Sequence, residues 1–98
     1  MIRKAVIIDE KDNIATATVD LKAGEKVDMF LMDEIISIDV AQNILFGHKF
    51  AIKDIPQGAE VLKYGESIDK ATQYIQVGQH VHVHNVESQR GRGDLNNK

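Results

Sequence analysis

Short apolar runs, most of which alternate with polar residues, are the feature that most constrains how this 98-residue chain can fold. The side chains of a β-strand alternate between its two faces, so a period of two predicts strands that bury one face. The clearest case is the alternation from Ile36 to Val40. Only 41–46 shows a helical tendency, so we predict an all-β domain with under about 15% helix. The predicted strands are 5–8, 14–19, 27–32, 35–40, 49–52, 60–64 and 80–86.

Length and composition narrow the functional classes. The chain has no cysteine, which excludes a disulfide framework, cysteine-based zinc binding and thiol catalysis, and is typical of a reducing compartment. A net charge of −3 argues against a nucleic-acid surface, which is usually basic. No apolar run approaches the roughly 20 residues of a membrane helix, and the apolar run near the start of the chain is too short for a signal peptide. We therefore expect one cytoplasmic domain without a nucleic-acid or membrane partner.

A turn motif recurs three times along the chain. Each copy is an apolar residue, two spacers, Gly, two spacers and Val, and the copies begin at Leu21, Ile55 and Ile75. Glycine adopts positive φ without strain, so each copy predicts a tight turn that leads into a strand whose Val faces the core. The motif predicts backbone geometry and carries no chemistry of its own.

The composition changes near residue 88. Residues 1–88 contain all of the predicted strands, whereas 89–98 are polar and rich in Gly, Arg and Asn. We therefore expect a single domain over 1–88 and a flexible tail or linker over 89–98.

Three of the four histidines lie in one segment, at His80, His82 and His84. In an extended strand they would share one face, with Val81 and Val83 on the other. Neighbouring histidines would then be about 6.6 Å apart and the outer two about 13 Å, so only an adjacent pair could share a metal ion. Such an open site suits catalysis, because free coordination positions accept substrate. The alternative is a solvated polar face of an edge strand.

The fourth histidine and one tyrosine are weaker candidates. His48 follows Gly47, which predicts a bend that presents the imidazole, with Phe46 and Phe50 as core anchors. Tyr64 is typical of a core residue whose hydroxyl reaches the rim. The residues alone therefore provide one histidine-rich strand and too few groups for a complete active site.

Four motifs, in their order and spacing, resemble a known family: Gly47-His48-Lys49-Phe50-Ala51, Asp54-Ile55-Pro56-x-Gly58, Lys63-Tyr64-Gly65 and Val81-His82-Val83-His84-Asn85. They resemble the SAF domain of the altronate/galactarate dehydratase family. The resemblance implies a β-clip fold of short strands. It also implies the small subunit or N-terminal domain of a sugar-acid hydro-lyase that works with a large catalytic subunit. A related two-subunit lyase eliminates sulfite from sulfolactate.

The resemblance further implies a divalent metal, Fe(II) or Mn(II). His82 and His84 are the expected metal ligands, whereas His80 is expected to vary within the family and to contribute less. A metal chelated by the substrate carboxylate and a neighbouring oxygen would act as a Lewis acid on the charge that develops in the elimination.

Four further site residues follow from the same resemblance. His48 is the candidate acid or base and Lys49 the contact to the substrate carboxylate, and both are expected to be catalytic. Tyr64 and Asn85 are expected to bind substrate. Two other functions stay open, namely a stand-alone SAF module that binds a carbohydrate or anion, and an assembly domain whose histidine strand pairs with a partner, including another copy of the chain.

Overall fold

The computed structural model describes residues 3–88, which contain nine β-strands and no helix. The strands are β1 (Ala5–Val6), β2 (Ile14–Ala17), β3 (Lys26–Leu31), β4 (Glu34–Asp39), β5 (Lys49–Ala51), β6 (Glu60–Lys63), β7 (Glu66–Ala71), β8 (His80–Val81) and β9 (Val86–Ser88). They form three antiparallel sheets, a four-stranded sheet in the order β1-β2-β5-β8, the hairpin β3-β4, and a three-stranded sheet in the order β6-β7-β9. The all-β prediction is confirmed. Over these residues, no helix is long and apolar enough to cross a membrane. The predicted tail at 89–98 lies outside the described residues.

Three local predictions are wrong. The strand predicted over 80–86 is interrupted, because β8 ends at Val81 and residues 82–85 turn before β9 begins. Strand β7 has no counterpart among the predicted strands, since its sequence is mostly polar and carries only a weak alternation. The helical tendency of 41–46 is not realised: the segment bends, and Ile44 forms an isolated bridge with Leu21.

The turn motif occurs four times in the structure, once more than the sequence reading found. The additional copy runs from Ile44 through Gly47 to Phe50, and Phe stands where the other copies have Val. The four motif glycines have φ between 84 and 90°. In each copy the residue after the glycine donates a backbone hydrogen bond to the carbonyl three residues earlier, as His48 does to Leu45 at 2.9 Å. This is a type II turn, which requires positive φ at its third residue.

The four turns pair into two similar halves. Isolated bridges join Leu21 to Ile44 and Ile55 to Ile75, and each half carries one hairpin between its turns, β3-β4 in the first half and β6-β7 in the second. The first and last positions of every copy are buried and form the centres of two separate cores. Full burial of each such side chain stabilises the fold by about 1.5–3 kcal/mol. These core positions are Leu21, Val27, Ile44 and Phe50 in the first half, and Ile55, Val61, Ile75 and Val81 in the second.

Gly78 lies at a close backbone contact between the two halves. The backbone N–H of Ala41 donates to the Gly78 carbonyl at 2.8 Å. A Cβ on Gly78 would lie 2.3 Å from the carbonyl oxygen of Asp39, whereas a Cβ on Gly24, in the first copy, would meet nothing within 4 Å. Gly78 is therefore required both by its backbone conformation and by the contact between the halves.

Candidate metal centre and adjoining cleft

The pairing of β5 with β8 brings three histidines to one edge of the four-stranded sheet. Phe50 lies opposite His80 in this antiparallel pair. His48 immediately precedes β5, and His82 immediately follows β8. The Nδ1 atom of His48 and the Nε2 atom of His80 are 2.9 Å apart. Residues that are 32 positions apart in the chain therefore meet through backbone pairing.

The rings of His48, His80 and His82 stack on one another, and we call them the histidine triad. Their centroids are 5.0 to 5.3 Å apart, with interplanar angles of 11 to 22°. One ring nitrogen from each residue lies within 4.8 Å of the other two. Imidazole nitrogen is a favoured ligand of divalent transition metals, at about 2.0–2.1 Å in zinc sites. The triad is thus a donor set that fits one metal ion.

The surroundings of His80 favour its neutral form. Burial lowers the pKa of His80, and the nearby charges of His48, His82, His84 and Lys49 lower it further. Neutral imidazole is the form that binds a metal, so a lowered pKa extends metal binding to lower pH. The electrostatics and the geometry of the triad therefore support the same use.

Asn85 fixes the point at which the chain leaves β8. Its side chain is buried, with 3% of its surface exposed. Its Oδ1 accepts from the backbone N–H of His82 at 3.0 Å, and its Nδ2 donates to the carbonyl of His80 at 2.8 Å. The Asn85 amide therefore orients two members of the triad. A direct contact of Asn85 with substrate stays a prediction.

The turn also corrects the spacing expected for the histidine segment. The rings of His80 and His84 are 5.5 Å apart at their centroids, far closer than an extended strand would place them. Val83 is 80% exposed, so it contributes nothing to a buried face. The metal-binding group joins His82 to His48 and His80, and His84 lies outside it. The family resemblance placed His80 below the other histidines, yet its ring contacts all three of them.

Lys49, the residue after His48, lines an open cleft of about 630 Å³ whose lining includes none of the triad histidines. Tyr64 also lines this cleft, so the structure brings together two of the expected site residues. Tyr64 is 57% exposed and is not a core residue, and Phe46 is 69% exposed, so only Phe50 anchors the His48 segment.

Sequence reasoning assigned no role to three charged residues of the cleft, Lys63, Glu66 and Asp69, although Lys63 stands in one of the four motifs. Burial raises the pKa of Asp69 above its ordinary value, and the positive charge of Lys49 offsets only part of this rise. Lys63 and Glu66 are cross-strand partners on either side of a two-residue turn. A Gly in the second position of such a turn, as at Gly65, is a hairpin signal that the sequence did contain.

A buried carboxylate holds the turn that carries Tyr64. Asp12 is 1% exposed, and its Oδ1 accepts from the backbone N–H of Gly65 at 2.8 Å. Its Oδ2 accepts from Tyr64 and from Asp9, both at 3.1 Å. Tyr64 has φ of 58°, a left-handed conformation that costs a bulky residue about 1–3 kcal/mol. The hydrogen bonds of Asp12 stabilise this conformation. No sequence signal separates Asp12 from the charged loop around it.

The short antiparallel strands and the repeated turns define a small all-β domain of the SAF type. Comparison with known families makes the assignment specific. The altronate/galactarate dehydratase SAF domain matches residues 3–89, and the chain belongs to this family.

Its curated relatives have two architectures. The chain is 33% identical over 87 residues to altronate dehydratase of Bacillus subtilis and 40% identical over 77 residues to altronate dehydratase of Escherichia coli. These matches cover 89% and 79% of this chain but only 17% and 15% of those proteins. It is also 35% identical over 88 residues to (2R)-sulfolactate sulfo-lyase subunit alpha of Chromohalobacter salexigens, covering 87% of this chain and 94% of that subunit. The domain therefore occurs both within a long chain and as a separate subunit.

Proposed function

We propose that this chain is the small subunit or N-terminal domain of a cytoplasmic, metal-dependent lyase, and that its histidine triad completes an active site shared with a large catalytic subunit. The proposal is carried by the convergence of three imidazole nitrogens within 4.8 Å at an open sheet edge. The relatives named as altronate dehydratase and sulfolactate sulfo-lyase support the lyase class. The proposed substrate is a sugar acid or sulfolactate.

His48, His80 and His82 would hold the metal, which when bound supplies a Lewis acid for the negative charge that develops beside the substrate carboxylate. Three protein ligands leave positions for substrate and for groups of the large subunit. Of the two proposed metals, an all-imidazole set favours Fe(II), because Mn(II) prefers oxygen ligands.

The geometry supports an exchange of roles between two histidines, with His48 as a metal ligand and His84 as the acid or base. A nitrogen of His48 that binds the metal cannot also carry the transferred proton at that atom. His84 is exposed and lies outside the metal-binding group, so it is better placed to exchange a proton with substrate. Lys49 keeps its proposed contact with the substrate carboxylate, because it follows His48 and lines the cleft.

Reconstitution tests this function. The chain would be combined with the large lyase component encoded in the same genome, after removal of metal, and elimination from altronate, galactarate and sulfolactate would be measured with and without Fe(II) or Mn(II). We expect activity only when both components and metal are present. Full activity of the large component alone would refute the shared site. Binding of these acids without elimination by the complex would instead favour a stand-alone binding module.

A further inference from the structure

We propose that the outer edge of β4, together with the apolar tip of the β3-β4 hairpin, is the surface on which the large catalytic component docks. An extended segment of that component would add a strand to β4. In strand addition, main-chain hydrogen bonds provide affinity and side-chain contacts provide specificity. This inference rests on the proposed function, since it names the surface that joins the two components.

The outer backbone groups of β4 have no partner among residues 3–88. The Val40 N–H donates to the Glu25 carbonyl at 3.0 Å, so alternate residues of β4 face β3 in the antiparallel ladder. The N–H and C=O groups of Ile35, Ser37 and Asp39 therefore point away from β3, and no described residue forms a hydrogen bond with them. Such a row of free groups is a template for another strand.

The corresponding hairpin of the second half is covered along both of its edges. Strand β9 pairs with the outer edge of β7. On the other side, the Leu62 N–H donates to Oδ1 of Asn13 at 2.8 Å, and Nδ2 of Asn13 donates to the carbonyl of Glu60 at 2.9 Å. Because each half carries its hairpin between the same two turns, β4 is the counterpart of β7. The second half thus contains the antiparallel strand that β4 lacks.

The sequence of β4 has few of the features that usually protect an edge strand. Natural edge strands are blunted by proline, by lysine, by a bulge or by a very short length. Strand β4 has six residues without proline or lysine, and it pairs with β3 in unbroken register. Its two charged residues, Glu34 and Asp39, stand at its ends. The middle of the strand is therefore open to a partner.

Exposed apolar side chains lie at the tip of the same hairpin. Phe30 and Ile35 are cross-strand partners, and both are exposed, as is Met32 in the turn between their strands. Exposed apolar residues that are grouped in this way are typical of a protein–protein interface. The tip can therefore contribute apolar contacts beside the main-chain hydrogen bonds of β4.

The position of β4 indicates which partner this surface receives. At the end of the strand, the Asp39 carbonyl lies against Gly78, where a Cβ would be 2.3 Å away. Three residues later, Oε1 of Gln42 accepts from the backbone N–H of His80 at 2.9 Å. The edge of β4 thus starts beside the segment that carries the triad and extends about 20 Å to the hairpin tip. A component that completes the triad would reach this edge as part of the same interface.

The relatives are consistent with a large occupant. The match covers only 15 and 17% of the two long relatives, so a much larger body accompanies the domain there. A second copy of the chain suits the edge less well. The two registers that overlap most of β4 with itself and keep its faces matched would place Ile35 opposite Ser37 or Asp39.

The test measures the affinity of the full chain for the large lyase component encoded in the same genome, by calorimetry. Ser37→Pro removes one outward N–H at an edge position where proline leaves the bonds to β3 intact. Ser37→Ala keeps that N–H and is the matched control, since both variants lose the hydroxyl that donates to Asp28. We expect Ser37→Pro to weaken binding at least about tenfold and Ser37→Ala to change it less than about twofold.

A second pair of variants tests the apolar tip. Ile35→Lys would place a charge in the interface, so we expect it to weaken binding at least about tenfold. Ile8→Lys is the matched control, because Ile8 is 53% exposed outside the hairpin and Ile35 is 57% exposed. Ile8→Lys should bind as the wild type does. Both sites are exposed, so neither change disturbs the core.

The outcomes separate docking from the shared active site. At a saturating concentration, Ser37→Pro should reach the turnover of the wild-type complex, whereas His48→Ala should not. Binding of Ser37→Pro and Ile35→Lys that equals binding of their controls would overturn the docking surface, and loss of turnover in His48→Ala alone would leave the proposed function standing. Self-association of the wild-type chain that Ser37→Pro abolishes would assign the edge to a second copy and would also overturn the proposal.

Discussion

The two hairpins of the molecule share a turn conformation and differ in everything attached to it. In β3-β4 the first turn residue is Met32, in β6-β7 it is Tyr64, and both have φ of 58°. The Tyr64 turn receives two hydrogen bonds from Asp12 and lines the cleft. Met32 is 70% exposed and, among residues 3–88, no side chain binds its backbone.

This difference shows that repeated local geometry does not determine the use of each half. The β6-β7 hairpin gains a third strand, β9, and lies against the loop that carries Asp12. The β3-β4 hairpin stays two-stranded, and its tip exposes Phe30 and Ile35 beside Met32. Of the two tips, only the anchored one lines the cleft.

Removing the anchor should give the largest effect on stability. Asp12→Ala leaves three part-buried backbone N–H groups without their acceptor, and we expect a loss of about 3 kcal/mol in the free energy of unfolding. Asp33→Ala, in the turn of the other hairpin, should change it by less than about 0.5 kcal/mol. Urea denaturation measures both. Similar losses would show that the two tips are equally anchored.

The contact between the halves should give the next largest effect. Gly78→Ala and Gly24→Ala impose the same strain at positive φ, but only Gly78 approaches backbone atoms of the other half. Gly78→Ala should therefore be more destabilising by about 1–3 kcal/mol, the usual cost of overpacking. Thermal denaturation of the two variants provides the comparison, and equal losses would remove the close approach as a cause.

Relieving the backbone strain at the two hairpin tips should raise stability, and by different amounts. Met32→Gly removes an unfavourable φ from an unanchored tip, so we expect stabilisation of about 0.5 kcal/mol after the entropy of glycine is counted. Tyr64→Gly relieves the same strain but removes the ring beneath Lys63. It also loses the cation–π contact of Lys63, so we expect less stabilisation than in Met32→Gly. Urea denaturation compares the two variants, and equal stabilisation would show that the Tyr64 ring contributes nothing to the stability of its turn.

The pH dependence of stability should report on the triad, to which the second half contributes His80 and His82. The folded pKa of His80 lies below the ordinary histidine value of 6.5, so the folded state binds fewer protons than the unfolded state. The metal-free chain should lose stability as pH falls from about 6.5 towards the lower folded pKa. His80→Gln should flatten this dependence in urea titrations, and His84→Gln should retain most of it. An unchanged slope in His80→Gln would assign the dependence to another group.

The sequence predicted the fold class well, because alternation and turn glycines act locally. It predicted His48, Lys49 and Tyr64 as site residues through short motifs, and the structure places them around one edge and cleft. It could not predict that the chain turns after Val81, because the sequence continues to alternate as in a strand. The turn is made by the hydrogen bonds of Asn85, which no local pattern indicates.

Two other features depend on contacts that no local pattern contains. His80 joins His48 through strand pairing, so a reading of the histidine segment alone gives the wrong neighbours. Asp12 reaches the Tyr64 turn from 52 residues away in the chain, and its loop looks like any charged turn. In both cases the site depends on how the two halves pack.

Metal titration of histidine variants tests the central claim, that the triad is the metal centre, most directly. The wild-type chain, titrated anaerobically with Fe(II) in a calorimeter, should bind one ion, and His48→Ala, His80→Ala and His82→Ala should each lose at least about tenfold in affinity, or about 1.4 kcal/mol. His84→Ala should bind as the wild type does, because His84 lies outside the group. Wild-type affinity in His80→Ala, together with loss of binding in His84→Ala, would contradict the account.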